Sequence, residues 1–250
     1  MSKRLQKLRR QLAEKEIDAI LISRPENRYF LSGFDGSSGF LFISAEDAIL
    51  ATDFRYTEQA KVQAPDFATF RVINGIDQWL PDLAGAKKGG KLGFEAGHIS
   101  VATLRQMNNA LKKRQPAPKL IPTEGLVESL RAVKEPEELA SITRAAALAD
   151  KTFEFITGTI RPGMTERETA WEMEKYLREN GSQGLPFDII VASGPNSALP
   201  HAKPTEKTIQ DGEPVVIDFG ARINGYSSDL TRTICLGKID DTFRKIYDIK

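Results

Sequence analysis

Asp218 and Asp229 lie on either side of Asn224-Gly225, the dipeptide that most favours a two-residue type I′ hairpin turn. With those two residues as the turn, Ile223 faces Tyr226 and, counting outward, Asp218 faces Thr231. Asp229 is then the diagonal neighbour of Asp218 on the same face of the hairpin. Diagonal neighbours lie about 7–8 Å apart at the backbone, within reach of converging side chains. Two carboxylates aimed at one point repel unless a cation, a proton or a basic side chain stands between them. Hard oxygen donors of this kind suit Mn²⁺, Mg²⁺ or Co²⁺ and also bind Zn²⁺, and such a pair can bridge two metals about 3.5–4 Å apart. The spacing leaves a second arrangement open, in which Asp218 or Asp229 pairs with Arg222 or Arg232, or faces water on an edge hairpin.

The elements that must carry this hairpin follow from periodicity. From Asp18 to about Pro122, short apolar runs alternate with amphipathic stretches. Residues 19–23, 40–44, 48–52, 69–73 and 91–95 read as strands, and residues 56–63, 77–83 and 101–114 as helices. This is an α/β domain. A turn-rich stretch, Arg114-Gln115-Pro116-Ala117-Pro118, precedes a strongly helical region from Gly125 to Ile156 that restarts at Pro136. The division this predicts is 1–124 and 125–250. Thr165 and Glu168 form a capping box for a further helix, with Trp171, Met173, Tyr176 and Leu177 as its apolar side and a stop at Asn180-Gly181. Residues 187–192 and 214–220 read as strands, and the last residues, from Phe243, as the start of an amphipathic helix that also takes in Asp248; Asp240 and Asp241 fall on the turn before it.

Composition narrows the chemistry. The 250 residues are 40% hydrophobic and 28% charged, a soluble globular balance. Lys and Arg number 35 against 34 Asp and Glu, so no global field draws the chain to nucleic acid or an acidic membrane. No run of about 18 apolar residues occurs, so no spanning helix is expected. The basic N-terminus has Leu5, Leu8, Leu12 and Ile17 near helical spacing, which predicts a surface helix docked on a core. Cys235 is the single cysteine. It excludes an intrachain disulfide and a four-thiolate zinc site, and fits a reducing compartment, so the cytoplasm is the expected location. The glycine-rich Ser32–Gly39 stretch lacks a phosphate-loop lysine and leads into an apolar strand, so it reads as a tight connection. His98 reads as structural, and His201, by its residue type alone, as a solvated loop histidine.

Asp218-Phe219-Gly220 followed by Tyr226-Ser227-Ser228-Asp229-Leu230-Thr231-Arg232-Thr233 resembles the first metal-ligand hairpin of the pita-bread metallopeptidases, in their Xaa-Pro aminopeptidase and prolidase branch. Ser32–Phe40 with Asp53-Phe54-Arg55-Tyr56 resembles that branch's creatinase-type N-terminal domain. Leu130–Leu139 resembles its entry to the catalytic domain, and Gly194–Ala202, with Leu199-Pro200-His201-Ala202, its substrate-histidine loop. The resemblance implies a creatinase-type N-terminal α/β domain (α+β in overall class) followed by an incomplete pita-bread catalytic domain. It implies Asp218 and Asp229 as the first two metal ligands and His201 as the histidine bordering the substrate. It further implies two divalent metal ions (Mn²⁺ first, then Co²⁺ or Zn²⁺), a proline-containing peptide or dipeptide as substrate, and a homodimer.

The family completes its site with a histidine and two glutamates beyond the second aspartate. In this sequence no His and no Glu follows Asp229. The expectation is therefore the N-terminal part of a longer peptidase, binding metal weakly, without turnover, and with an apolar surface left open. Two other readings stand beside it: a non-catalytic peptide- or protein-binding module on the same scaffold, and a metal-free creatinase-like amidinohydrolase. The second has no need of both carboxylates.

Overall fold

Leu5, Leu8 and Leu12 are all buried on α1 (Lys3–Glu14) of the computed structural model, as the helical spacing requires. The structure describes residues 3–84, 90–112, 116–238 and 241–249. One unit ends at Val133 and the next begins at Lys134.

In the first unit, β1 (Ala19–Ile22), α2 (Pro25–Ser32), β2 (Phe40–Ser44), β3 (Ala48–Thr52), α3 (Thr57–Gln63) and β4 (Ala68–Arg71) follow α1. After them come α4 (Ile76–Ala84), β5 (Lys91–Glu95), α5 (Val101–Leu111), β6 (Lys119–Thr123) and α6 (Leu126–Ala132). The sheet order is β4-β3-β2-β1-β5-β6, with β1/β5, β5/β6 and β3/β4 parallel and β1/β2 and β2/β3 antiparallel. Alternate strand residues enter two cores. Ile20, Ile22, Leu41 and Ile43 pack with α1, α3 and α6 on one face, and Leu21, Phe42, Leu92 and Phe94 with α4 and α5 on the other. Helices on both faces of a largely buried sheet are the α/β architecture expected from the alternating pattern.

Several boundaries move. α5 ends at Leu111, and Arg114, the expected end, lies outside the described residues. β4 covers residues 68–71 rather than 69–73. The helix α2 had no apolar periodicity to announce it, because its buried face includes Asn27 and Arg28 beside Phe30 and Leu31. Its terminal signals are nonetheless present, with Pro25 in the first turn and Gly33 at the C-cap with φ 79°. Arg28 explains the glycine-rich stretch: its guanidinium donates to the carbonyl oxygen of Gly39 at 2.7 Å and to that of Gly36. A phosphate cradle presents N–H groups to its ligand, whereas this loop turns carbonyls onto a buried arginine. His98 places Nδ1 2.9 Å from the Ser23 hydroxyl, which itself lies 3.0 Å from Oε2 of the buried Glu95.

The second unit comprises α7 (Pro136–Thr159), α8 (Glu166–Glu179), β7 (Ile190–Ser193), β8 (Pro214–Phe219), β9 (Arg222–Ile223), β10 (Tyr226–Ser227), β11 (Leu230–Cys235) and α9 (Asp241–Tyr247). Asp240 lies outside the described residues, and Asp241 opens α9. Strand β8 runs antiparallel to both β7 and β11. Val215, Ile217 and Phe219 are buried against Ala145, Leu148, Met173 and Leu177 of α7 and α8. The strand's alternation therefore puts Val216 and Asp218 on the half-exposed face.

On α8 the capping box forms as expected, with Glu168 N–H donating to Thr165 Oγ1 (3.1 Å) and Thr165 N–H to Glu168 Oε2 (2.8 Å). The buried stripe is Glu166, Thr169, Met173 and Leu177. Trp171, expected on the apolar side, is 58% exposed; it sits two residues from Met173, about 200° round the helix. Among the described residues no helix is long and apolar enough to cross a membrane.

Candidate functional site

The hairpin has the register read from the sequence. Asn224 and Gly225 have φ 51° and 77°, both positive as a type I′ turn requires. Ile223 pairs with Tyr226, and Asp218 with Thr231. The ladder is broken, however, between β9/β10 and β8/β11, and Asp229 falls in the break rather than inside a strand. The cause is Ser228. Its backbone N–H donates to Ala221 O (2.9 Å), and its hydroxyl accepts from Ala221 N–H (3.0 Å) while donating to the Ala145 carbonyl on α7 (3.0 Å). Gly220 permits this approach, since a Cβ there would stand 2.1 Å from the Ser228 carbonyl oxygen.

Helix α7 anchors the turn end. The Tyr226 hydroxyl donates to Glu138 Oε1 at 2.6 Å, and Asn224 Nδ2 lies 3.3 Å from the Ser141 hydroxyl. Tyr226 thus ties the hairpin to α7. Asp218 Oδ1 accepts from the Thr231 hydroxyl directly across the ladder at 2.9 Å. Arg232 donates to the Thr231 carbonyl instead of to a carboxylate. Among the described residues neither aspartate pairs with Arg222 or Arg232. Asp218 is half-buried and Asp229 exposed.

His201 is exposed on the segment that leaves β7 through a 3-10 turn, Gly194–Ala198. Strand β7 pairs Ile190 with Asp218 and Ser193 with Val215. The histidine segment therefore departs from the end of β8 that lies three residues, about 10 Å, from Asp218. Among the described residues no group of three or more His, Cys, Asp and Glu that could hold a metal is formed. The structure brings Asp218 and Asp229 together on one hairpin, and does not bring His201 into a ligand cluster with them.

The donor chemistry suits a hard divalent cation, because both groups are carboxylates and neither is neutralised by an arginine. The number of donors is that of a part-site, two where a closed site takes four or more. Sequence reading missed Glu166. It was visible only as an acidic residue on the i, i+3, i+7 stripe with Thr169 and Met173, a place that usually carries an apolar side chain.

Residues 4–133 match the Creatinase/Prolidase N-terminal domain, and residues 140–249 match Metallopeptidase family M24. A curated Xaa-Pro dipeptidase of Pyrococcus furiosus is 33% identical over 251 residues, covering 100% of this chain and 69% of that protein. The crystal structure of an Xaa-Pro dipeptidase from Bacillus anthracis is 38% identical and superposes with a TM-score of 0.90 over 99% of this chain and 68% of that one. An X-Pro aminopeptidase from Thermotoga maritima is 33% identical with a TM-score of 0.87, over 98% of this chain and 68% of that one. With its first unit matching the creatinase/prolidase N-terminal domain and its second the peptidase model, the chain belongs to metallopeptidase family M24.

Proposed function

We propose that this chain serves hydrolysis of the peptide bond preceding proline, in dipeptides or at the N-terminus of longer peptides, in the cytoplasm and as a homodimer. The observation that carries the reading is the hairpin register, which pairs Asp218 with Thr231, two residues from Asp229, in a chain whose relatives are named Xaa-Pro dipeptidases and aminopeptidases. Asp218 and Asp229 would hold divalent metal, Mn²⁺ first and Co²⁺ or Zn²⁺ next. When bound, such ions supply Lewis acidity toward a carbonyl and lower the pKa of water.

The chain's own residues do the rest. Thr231 fixes the Asp218 carboxylate through its hydroxyl, and Ser228 and Tyr226 hold the facing segment on α7. His201, exposed on its loop, borders the substrate and offers a ring N–H to developing charge. Two carboxylates alone retain metal weakly, so the described donor set does not by itself sustain turnover.

The test is to assay the chain, and the full product of its reading frame, on an Xaa-Pro dipeptide and a longer Xaa-Pro peptide with and without Mn²⁺. Metal-dependent cleavage abolished by Asp229→Ala supports the reading. Cleavage that ignores both the metal and the substitution overturns it, and absence of both cleavage and stoichiometric metal in the full product moves the weight to a binding module.

A further inference from the structure

Glu166, the first residue of α8, is 0% exposed, and both its carboxylate oxygens are filled by donors. Oε1 accepts from the Ser193 N–H (2.7 Å), the Ser193 hydroxyl (3.0 Å) and the Asn196 amide (3.0 Å). Oε2 accepts from the Thr205 hydroxyl (2.6 Å), the Thr205 N–H (3.1 Å) and the same Asn196 amide (3.1 Å). Burying a carboxylate is costly unless its lone pairs are satisfied in this way. The placement of the donors is informative, because Ser193 and Asn196 precede His201 in the chain and Thr205 follows it. One carboxylate therefore closes the segment that carries the histidine.

The contact is reciprocal. The N–H groups of Glu166 and Arg167 donate to the carbonyls of Lys207 and Thr205, each at 3.1 Å, so the returning strand of the loop caps the helix whose first side chain ties the loop shut. Within the loop, the Ser197 hydroxyl donates to Gly194 O, Leu199 N–H to Asn196 O and Ala202 N–H to Leu199 O. Ala202 is buried, while His201 beside it is exposed. Lys207 Nζ extends the network, reaching the Ser193 hydroxyl at 3.0 Å and Glu213 Oε2 at 2.6 Å.

We propose that Glu166 is the positioning residue of the His201 loop, holding residues 193 and 196 to residue 205 so that the segment carrying the histidine keeps one conformation. The functional weight of this rests on the reading of His201 as a substrate-bordering residue. The ordering of the loop does not, and is measured separately. The donors to the Glu166 carboxylate named above come from Ser193, the last residue of β7, and from the loop residues Asn196 and Thr205, and none from α7, β8 or β11. A loss at Glu166 therefore acts on the loop and on the end of β7 from which it leaves, before it acts on β8 or β11.

The experiment is amide hydrogen exchange, together with ¹⁵N–¹H spectra of the histidine rings, on the full chain. It has only two histidines, and His98 in the first unit is the internal control. Glu166→Gln keeps the shape but turns an acceptor into a donor facing donors. Exchange across residues 194–204 should rise about tenfold or more, with α7 and β8 still protected. The His201 ring resonances should shift while those of His98 stay. Thr205→Val removes the shortest bond at an exposed residue, and should move the same amides the same way by a smaller factor.

A folded Glu166→Gln protein with unchanged exchange and unchanged His201 resonances overturns the proposal. So does equal loss of protection in the loop, α7 and β8. If Glu166→Gln does not fold, Thr205→Val decides, and unchanged exchange at 194–204 overturns the proposal. An Xaa-Pro assay indifferent to His201→Ala would remove the substrate role and leave the exchange result standing, so the two readings fail separately.

Discussion

The Tyr226 hydroxyl donates a 2.6 Å hydrogen bond to Glu138 Oε1, while the other oxygen of that buried carboxylate accepts the Glu135 N–H at 2.9 Å. The group that caps α7 thus also fixes the hairpin carrying Asp218 and Asp229. Removing the hydroxyl takes a donor from a charged, buried acceptor. Tyr226→Phe should therefore lower the unfolding free energy of the second unit by about 1.5–3 kcal/mol. Urea denaturation followed through Trp171, the tryptophan of that unit, measures it. A midpoint that stays put would mean that Tyr226 contributes packing alone.

Gly220 offers a sharper test of the break in the ladder. Its backbone sits so close to Ser228 that an added Cβ would stand 2.1 Å from a carbonyl oxygen and 2.7 Å from Pro186 Cγ. Neither neighbour is the free end of a flexible chain. Gly220→Ala should cost about 3 kcal/mol and push Asp229 away from Asp218. Gly220→Ser would do no better, since the clash comes from Cβ. Wild-type stability in the alanine variant would show that the two strands do not approach this closely.

The parts legible from the sequence were those where one periodicity dominated. Leu5, Leu8 and Leu12 mark α1 because its buried face is wholly apolar, and β2 and β3 have the expected limits because short apolar runs end at turn residues. The hairpin register followed from Asn224-Gly225, whose turn type fixes every pair outward to Asp218 and Thr231. Illegible elements were those with polar interiors. Helix α2 buries Asn27 and Arg28, and α8 buries Glu166 and Thr169, so apolar counting passed over the first and assigned Trp171 to the wrong side of the second. Ser228 bonding to Ala145 is a long-range contact, and no local pattern foretells that it would lift Asp229 out of the strand. The helix restart at Pro136 and the capping box at Thr165 were readable because capping is local chemistry.

Asp53 is a surface example of the same carboxylate chemistry. Arg55 Nε reaches Oδ1 at 2.9 Å, a second guanidinium nitrogen reaches Oδ2 at 2.8 Å, and the Arg55 N–H reaches Oδ1 at 3.0 Å. These bonds, the side-chain ones foremost, lower the carboxyl from its ordinary 3.8 to about 2. A ¹³C titration of the Asp53 carboxyl should give that value, and Arg55→Ala should return it toward 3.8. A wild-type titration already at 3.8 would show that water loosens the ion pair.

Glu166 ties a pH dependence to the second unit. Burial by itself would raise its carboxyl, but the hydrogen bonds from Thr205, Ser193 and Asn196 outweigh burial and hold it below its ordinary value of 4.5. Beside this network lie Lys207 and Glu213, an ion pair closed at 2.6 Å, with the Lys207 ammonium reaching the Glu166 carboxylate through the Ser193 hydroxyl. A folded-state pKa below the unfolded one means that the folded protein binds fewer protons as the pH falls toward 4.5. The stabilisation is fully present above that pH and is lost as the pH drops through the folded value. The thermal midpoint of the second unit should thus be level from neutrality to about pH 5 and fall below it. Other carboxylates contribute to the same limb, so the informative quantity is the difference from Glu166→Gln, which cannot titrate. Its midpoint should start lower at neutral pH and converge on the wild-type curve in acid. Parallel curves across the whole range would mean that the Glu166 carboxylate is not the group that binds the proton.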